Sequence, residues 1–314
     1  MAKLALGLGL LAGLLLWRDT AARMGELLLG FETRYLAVLV AVALLMRAVS
    51  AFKWWILLRD AGIRVAIGRL FGLYLIGQFF NNFLPSMIGG DVTKSLLLGR
   101  QIRSQSRSAA SVFVDRLTGL IALIVMALSL ASLNLDLIAD PVIGVPVAGV
   151  TLGAIGLVIA LFNARALGAL ARRLGAWAFL EPVIRALAQF HGAVMEYRHR
   201  RRALALAFVC STVFYFLASL SVYYSCAAIG YRPAFSDVAL ITPIIFLVTT
   251  IPVSPNNIGW WEWSVGLLLG GTGATLADGV MVALTMRAVS TAISLLGGVL
   301  FLMERVEGHA PPAR

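Results

Sequence analysis

The sequence predicts an all-α polytopic membrane protein with about six full spans plus two re-entrant helical hairpins that enter from opposite faces. Three observations lead there. Hydrophobic residues fill 60% of the 314 positions, against roughly 45–50% in soluble domains, and the mean hydropathy is +0.91. Apolar runs long enough for a hydrocarbon core of about 30 Å recur along the chain. Two further apolar stretches are interrupted by helix breakers, NNFLPSMIGGD at 81–91 and IPVSPNNIGWWE at 251–262. Unwound backbone persists at membrane depth only where it lines a cavity, and two broken segments in separate parts of a chain point to a transporter's binding site.

Taken in order, residues 3–17 form a marginal first run, which resembles a signal peptide in its length and in the small residues after it. Polytopic membrane proteins usually retain such a segment, so it is assigned as a span. Full spans are expected at 35–58, 109–132, 141–162, 203–229 and 279–303. The stretches 70–92 and 239–275 carry the breaks, at Pro85, Gly89 and Gly90 in the first and at Pro252, Pro255 and Gly259 in the second. Each reads as a hairpin that enters and leaves on one side. Between spans, 163–202 shows helical spacing in two pieces split by Pro182, with Leu167, Leu170 and Leu174, then Val183, Leu187, Phe190 and Val194. Such amphipathic helices suit a membrane surface, and they equally suit packing on their own cytoplasmic loops. Residues 1–304 are thus expected to form one transmembrane domain, and 305–314, with Pro311 and Pro312, a disordered tail.

Orientation follows from lysine and arginine in the short loops. The intervals 59–69, 92–108 and 163–202 hold fifteen basic residues, whereas 18–34, 133–140, 230–238 and 276–278 hold only Arg18, Arg23, Arg34 and Arg232. The first group is expected on the cytoplasmic side of an inner membrane, together with both termini. Both flanks of 70–92 are then cytoplasmic, as a re-entrant hairpin requires. By the same rule 239–275 enters from outside, so the breaks approach each other from opposite faces, the geometry of an inverted repeat built for alternating access. The pentapeptide MRAVS occurs at 46–50 and again at 286–290, in spans of the same orientation, and is read as a chance match.

The net charge of +11 would suit nucleic acid, but the basic residues are confined to loops between apolar runs, and an anionic membrane surface is the simpler partner. Cys210 and Cys226 share one apolar run, and His191, His199 and His309 have no metal-ligand spacing, so neither metal nor cofactor is expected. No P-loop motif is present, and active transport would draw on an ion gradient or a partner.

Charged side chains inside spans cost about 2.5–3.5 kcal/mol each on insertion scales and need partners or water. Arg47 lies mid-span, Asp115 and Arg116 lie early in 109–132, Arg287 lies about two turns into the last span, and Asp91 and Glu262 follow the two breaks. One reading is a self-neutralising buried cluster. The other is a site in which arginines hold a phosphate through their planar donor fork while the acids hold a cation, couple to protons or reset the arginines. Gly89 and Gly90 let backbone N–H groups approach an oxygen, and a half-helix starting at Asp91 would favour an anion, or use Asp91 as its cap. Asn81, Asn82, Asn256 and Asn257 suit a hydroxyl-rich head group, or the free backbone groups of the turns. Trp260, Trp261 and Trp263 fit either stacking or interfacial anchoring.

The ordered motifs NNFLPSMIGGDVTK, SVFVDRLTGL and IPVSPNNIGWWE, preceded by Lys53-Trp54-Trp55-Ile56-Leu57-Leu58, resemble the lysylphosphatidylglycerol synthase transmembrane region family, also described as flippase-like integral membrane proteins. The resemblance covers nearly the whole chain. It implies a lipid-translocating domain whose charged motif residues are here Asp91, Arg116 and Glu262, with Lys94 where the family more often has arginine. Full-length synthases append a cytosolic aminoacyl-transfer domain, for which the residues after 304 are too few, so synthesis of lysyl-lipid is not expected of this chain. The leading expectation is a non-enzymatic flippase that moves a phospholipid or isoprenoid-linked head group through a polar cavity at the hairpins. Its partners would be anionic or phosphate-bearing lipids and a lipid-synthesis enzyme. A membrane-embedded lipid or glycan transferase, with Asp91 or Glu262 as general base, and a non-transporting scaffold are the alternatives.

Overall fold

The computed structural model describes residues 20–83, 89–131, 189–251 and 253–307, with residues 9, 13, 145, 148–153 and 155–156 besides. All regular structure among the described residues is helical. Helices α1 (Thr20–Leu29), α2 (Arg34–Asp60), α3 (Ile67–Phe83), α4 (Gly89–Gln101) and α5 (Gln105–Ala131) precede α6 (Arg201–Ala228), α7 (Phe235–Val248), α8 (Trp260–Leu269) and α9 (Leu276–Glu307). Of these, α2, α5, α6 and α9 are long and apolar enough to cross a membrane, and they coincide with the runs expected at 35–58, 109–132, 203–229 and 279–303. The expected spans 3–17 and 141–162, most of the segment 163–202, and the tail lie largely outside the described residues. The interval 18–34, read as a loop, contains α1. Its apolar run is too short to span, yet Leu27 is buried and Met24 half-buried in the core cluster shared by α7, α8 and α9.

The two interrupted stretches become pairs of short helices. α3 and α4 have 17 and 13 residues, α7 and α8 have 14 and 10. At 1.5 Å per residue these measure about 15–25 Å, too short to cross a 30 Å core alone. Within the first pair the chain doubles back. Arg69 near the start of α3 reaches Gln101 at the end of α4. At the other end Gly90 lies so close to α3 that a Cβ there would overlap the Gly77 carbonyl oxygen. The second pair is built likewise: the Trp260 indole donates to the Val248 carbonyl at 3.3 Å, and the Tyr231 hydroxyl, ahead of α7, donates to the Thr272 carbonyl, beyond α8, at 2.6 Å.

Ion pairs sort the helix ends into two groups. Arg69 with Glu304, Arg200 with Asp60 and Arg107 with Glu196 join one set of ends, which includes the open end of the α3–α4 pair. At the other, Glu32 meets Arg34 and Arg232, and its N–H donates to the Ala228 carbonyl at the end of α6. That end holds the open end of the α7–α8 pair. The two pairs thus reach inward from opposite ends.

Among the described residues four apolar clusters hold the bundle, two of them large. Trp54, Leu57 and Leu58 pack with Leu70, Leu73, Leu98, Ala110 and Ala207 in one; Ile244, Ile245, Val265, Leu269 and Val282 pack in the other. Large apolar side chains such as Leu45, Phe52, Val125, Val213, Phe216 and Val299 remain exposed on the long helices, as suits contact with lipid. Lipid gives helices little hydrophobic drive to associate, so small residues that permit close backbone approach matter more. α9 crosses α3 at Gly297, where a Cβ would overlap the Leu75 carbonyl.

Candidate functional site

A cavity of about 330 Å³ lies where the inner ends of the two helix pairs meet α2, α5, α6 and α9. Its first charged group is anchored on α4. Asp91 sits in the first turn of that helix, where the dipole favours a carboxylate. Arg116 on α5 grips it with two donors, Nε to Oδ2 at 2.7 Å and Nη2 to Oδ1 at 2.8 Å. Lys94, one turn on, places Nζ 3.0 Å from Oδ1. This lysine is 2% exposed. It is accommodated because the ammonium also lies 4.0 Å from the Tyr74 ring centre and 5.3 Å from that of Trp54, a cation–π contact on each side. Arg116 is 58% exposed toward the cavity. At the start of α4 the Asn81 side-chain oxygen, from the end of α3, accepts the Gly90 N–H at 2.7 Å.

The second charged group is built on the turn ahead of α8. Glu262 occupies the third position of that helix, and its Oε2 accepts the Gly259 N–H at 2.8 Å, half of a capping box. Its Oε1 accepts from Arg287 Nε at 2.5 Å, while Nη1 and Nη2 of Arg287 donate to the carbonyls of Asn256 and Asn257 at 3.2 and 3.1 Å. These carbonyls face one guanidinium because the turn that follows Pro255 places Asn256, Asn257 and Gly259 at φ of 50°, 53° and 80°. Asparagine tolerates that region better than most residues. The Asn257 amide also donates to the Thr249 carbonyl at the end of α7 at 2.7 Å. The asparagines therefore satisfy backbone groups while facing the cavity. Pro85 and Pro252 lie outside the described residues.

Arg47 differs from the other arginines. Nη1 donates to the Ala43 carbonyl on its own helix at 2.8 Å and Nη2 to the Ser290 hydroxyl on α9 at 2.9 Å. Its buried Nε has no hydrogen-bond partner, and among the described residues no carboxylate lies within ion-pair distance. Gln78 approaches the same hydroxyl at 3.4 Å, and Asn82 donates to Ser294 at 2.9 Å. Both copies of MRAVS thus line the cavity, with Met46, Arg47 and Ser50 from α2 and Met286, Arg287, Val289 and Ser290 from α9.

Of the residues singled out from the sequence, Arg47, Asn81, Asn82, Asp91, Lys94, Arg116, Asn257 and Arg287 line the cavity. Glu262 does not reach its wall and touches it through Arg287. Gly89 and Gly90 form the start of α4 beside it. The sequence reading named Lys53 only within the motif that precedes the first break and gave it no place among the intramembrane charges; its Nζ lies 3.0 Å from Asp115 Oδ1 and donates to the Asp115 carbonyl at 2.8 Å and Ser211 at 3.3 Å. Tyr74 donates to the other Asp115 oxygen at 2.6 Å. This buried pair lines a smaller cavity of about 80 Å³ that shares Ser50, Tyr74, Arg116 and Phe214 with the larger one. Lys53 was detectable as a second basic residue inside the apolar run that holds Arg47. Among the described residues no group of three or more His, Cys, Asp or Glu is placed to hold a metal.

The family model described as the lysylphosphatidylglycerol synthase TM region matches residues 1–298. The chain belongs to that family. It is also similar to a UPF0104 membrane protein of Pyrococcus horikoshii, 24% identical over 313 residues that cover 93% of each chain. No solved structure gives a significant match. Family membership and the four long apolar helices make this a multi-pass membrane protein. The motifs on which the resemblance was drawn are the segments that carry Asp91, Arg116 and Glu262, and the fold brings the first two into direct contact.

Proposed function

We propose that the protein is a non-enzymatic lipid translocator, which passes the phosphate-bearing head group of a phospholipid or isoprenoid lipid across the bilayer through the cavity while the chains stay in lipid. The observation that carries this reading is the cavity itself: about 330 Å³ of space walled by Arg47, Asp91, Lys94, Arg116 and Arg287 inside a bundle whose outer face is apolar. Ionisable groups in such a place are costly and pair with one another or with a polar cargo. Guanidinium groups offer phosphate several donors in a fixed plane. In this reading α3–α4 enters and leaves on the cytoplasmic side and α7–α8 on the opposite side, with both termini cytoplasmic in an inner membrane. The grouping of the helix ends and the excess of basic residues on one set of loops both favour it. The Asp91–Arg116 pair then acts as an internal stand-in for cargo. An arriving phosphate competes with Asp91 for Arg116, and its departure lets the pair close again.

The test is head-group translocation in vesicles that contain the purified protein, using labelled anionic and aminoacylated lipids, including polyprenyl phosphates and aminoacylated phosphatidylglycerol. The wild type should speed translocation of at least one lipid over protein-free vesicles, and Asp91→Asn, folded, should abolish the gain. Equal rates with and without protein across that panel would sink the transport reading. Labelled product formed from a donor lipid would move it to the transferase reading.

A further inference from the structure

The charges around the two adjoining cavities do not cancel. Lys53 is matched by Asp115, and Arg287 by Glu262. Asp91 alone faces both Arg116 and Lys94. Arg47 has no carboxylate partner among the described residues, and its buried Nε has no acceptor. Among the described residues the excess is two positive charges, one at Arg47 on α2 and one at the Asp91 cluster on α4 and α5. Both open onto the same space. Uncompensated charge away from water is unfavourable unless a counter-ion or a polar ligand meets it.

We propose that the cavity is matched to a head group that ends in a phosphate group with at least two negative charges, a phosphomonoester or diphosphate, in preference to a singly charged phosphodiester. This rests on the lipid-transport reading and narrows its substrate class. Two separated cationic centres suit such a group, because the Arg47 guanidinium lines the cavity with no carboxylate beside it among the described residues, while the exposed Arg116 guanidinium can meet other oxygens as they compete with Asp91. A phosphodiester leaves one centre uncompensated. The asymmetry between the two copies of MRAVS is what creates the first centre: Arg287 is held by Glu262 and two carbonyls, and the equivalent Arg47 by neutral groups alone. The second ionisation of a phosphomonoester lies near pH 6. The charged and titratable groups that would face it are Arg47, Tyr74, Asp91, Lys94, Arg116 and Arg287. The preference should therefore be full near pH 8 and fade as the ligand becomes a monoanion toward pH 5.

Binding to the purified full chain in detergent tests this, using dioctanoyl phosphatidic acid, dioctanoyl phosphatidylglycerol and glycerol 3-phosphate as probes. At pH 8 the phosphatidic acid should bind roughly tenfold or more tightly than the phosphatidylglycerol, the size expected for added charge-assisted hydrogen bonds. The gap should close at pH 5. Arg47→Gln should remove most of the preference at pH 8, and Arg47→Lys should restore part of it. Equal affinity for the two lipids at pH 8, or a preference untouched by Arg47→Gln, would overturn the inference, and the wild-type pH profile decides it even if the variant does not fold. Glycerol 3-phosphate binding as tightly as the lipid would support the dianion site while pointing to a soluble phosphate ester as its source. A preserved preference without translocation in vesicles defeats the transport reading alone; translocation with no preference defeats the charge match alone.

Discussion

Glu262 stabilises two things at once, the first turn of α8 and the position of Arg287. It is 1% exposed, and its partner lies 2.5 Å away. Neutralising it leaves a guanidinium facing two carbonyls without its counter-charge, and breaking a buried pair from one side costs about 3–5 kcal/mol. Glu262→Gln is expected near the lower end of that range, about 3 kcal/mol, since Arg287 keeps 25% exposure and the amide can still accept from Gly259. Thermal unfolding in detergent measures it. Adding Arg287→Met should recover part of the loss; a double variant less stable than the single one would disprove the pairing argument. Sequence alone located Asp91, Arg116, Glu262, Arg47 and Arg287, because charge inside an apolar run is conspicuous. It did not assign the partners. Arg47 and Arg287 sit in the same pentapeptide, and only the fold decides that a carboxylate from the α8 turn reaches one of them. Lys53 and Asp115 pair across 62 positions on different helices, a match no local spacing reveals.

At the level of elements, the long helices were legible to within a few residues, because sustained hydropathy is a property of the segment itself. The interruption of the two short stretches was legible through proline, glycine and asparagine, but the length of α4 was not: it runs to Gln101, through most of the interval 92–108 read as a loop. Helix α1 was not legible either. Its ten residues are amphipathic but far too short to span, and a reading built on long apolar runs passes over them. Nor was the role of Asn81, at the end of α3, in accepting the Gly90 N–H at the start of α4. Close crossings are invisible in sequence for the same reason: thirty glycines look alike until neighbours are known. Gly297→Ala places a methyl group against the Leu75 carbonyl, where backbone on both helices must shift. It should destabilise by about 2–3 kcal/mol, in the range of overpacked cores. Gly68→Ala on α3 meets nothing within 4 Å and should be neutral or slightly stabilising. Unfolding midpoints of the two variants compared side by side check this, and equal loss in both would show that the crossing does not set the cost.

For the whole molecule, the two helix pairs have opposite polarity, and under the proposed transport function this governs how the cavity would open to each face in turn. If α3–α4 rests on one face and α7–α8 on the other, rocking either pair changes access on its own side while the charged centre stays near mid-membrane. The bases of the pairs carry exposed positions suited to labelling: Arg64 and Arg100 flank the first, Arg232 and Gly271 the second. In a variant with Cys210 and Cys226 replaced by serine, single cysteines at 64 and 100 should both resist a membrane-impermeant maleimide in sealed right-side-out vesicles, and react once the vesicles are opened. Cysteines at 232 and 271 should react without opening. Phe83, 56% exposed at the closed end of the first pair, separates a re-entrant pair from two full crossings. A cysteine there should label far more slowly from outside than one at 232. Rapid external labelling at 83, with 64 and 100 still protected, would mean that α3 and α4 cross the membrane in full. Labelling of 64 and 100 from different faces would break the pairing itself, and with it the convergence of two half-buried hairpins on one charged cavity.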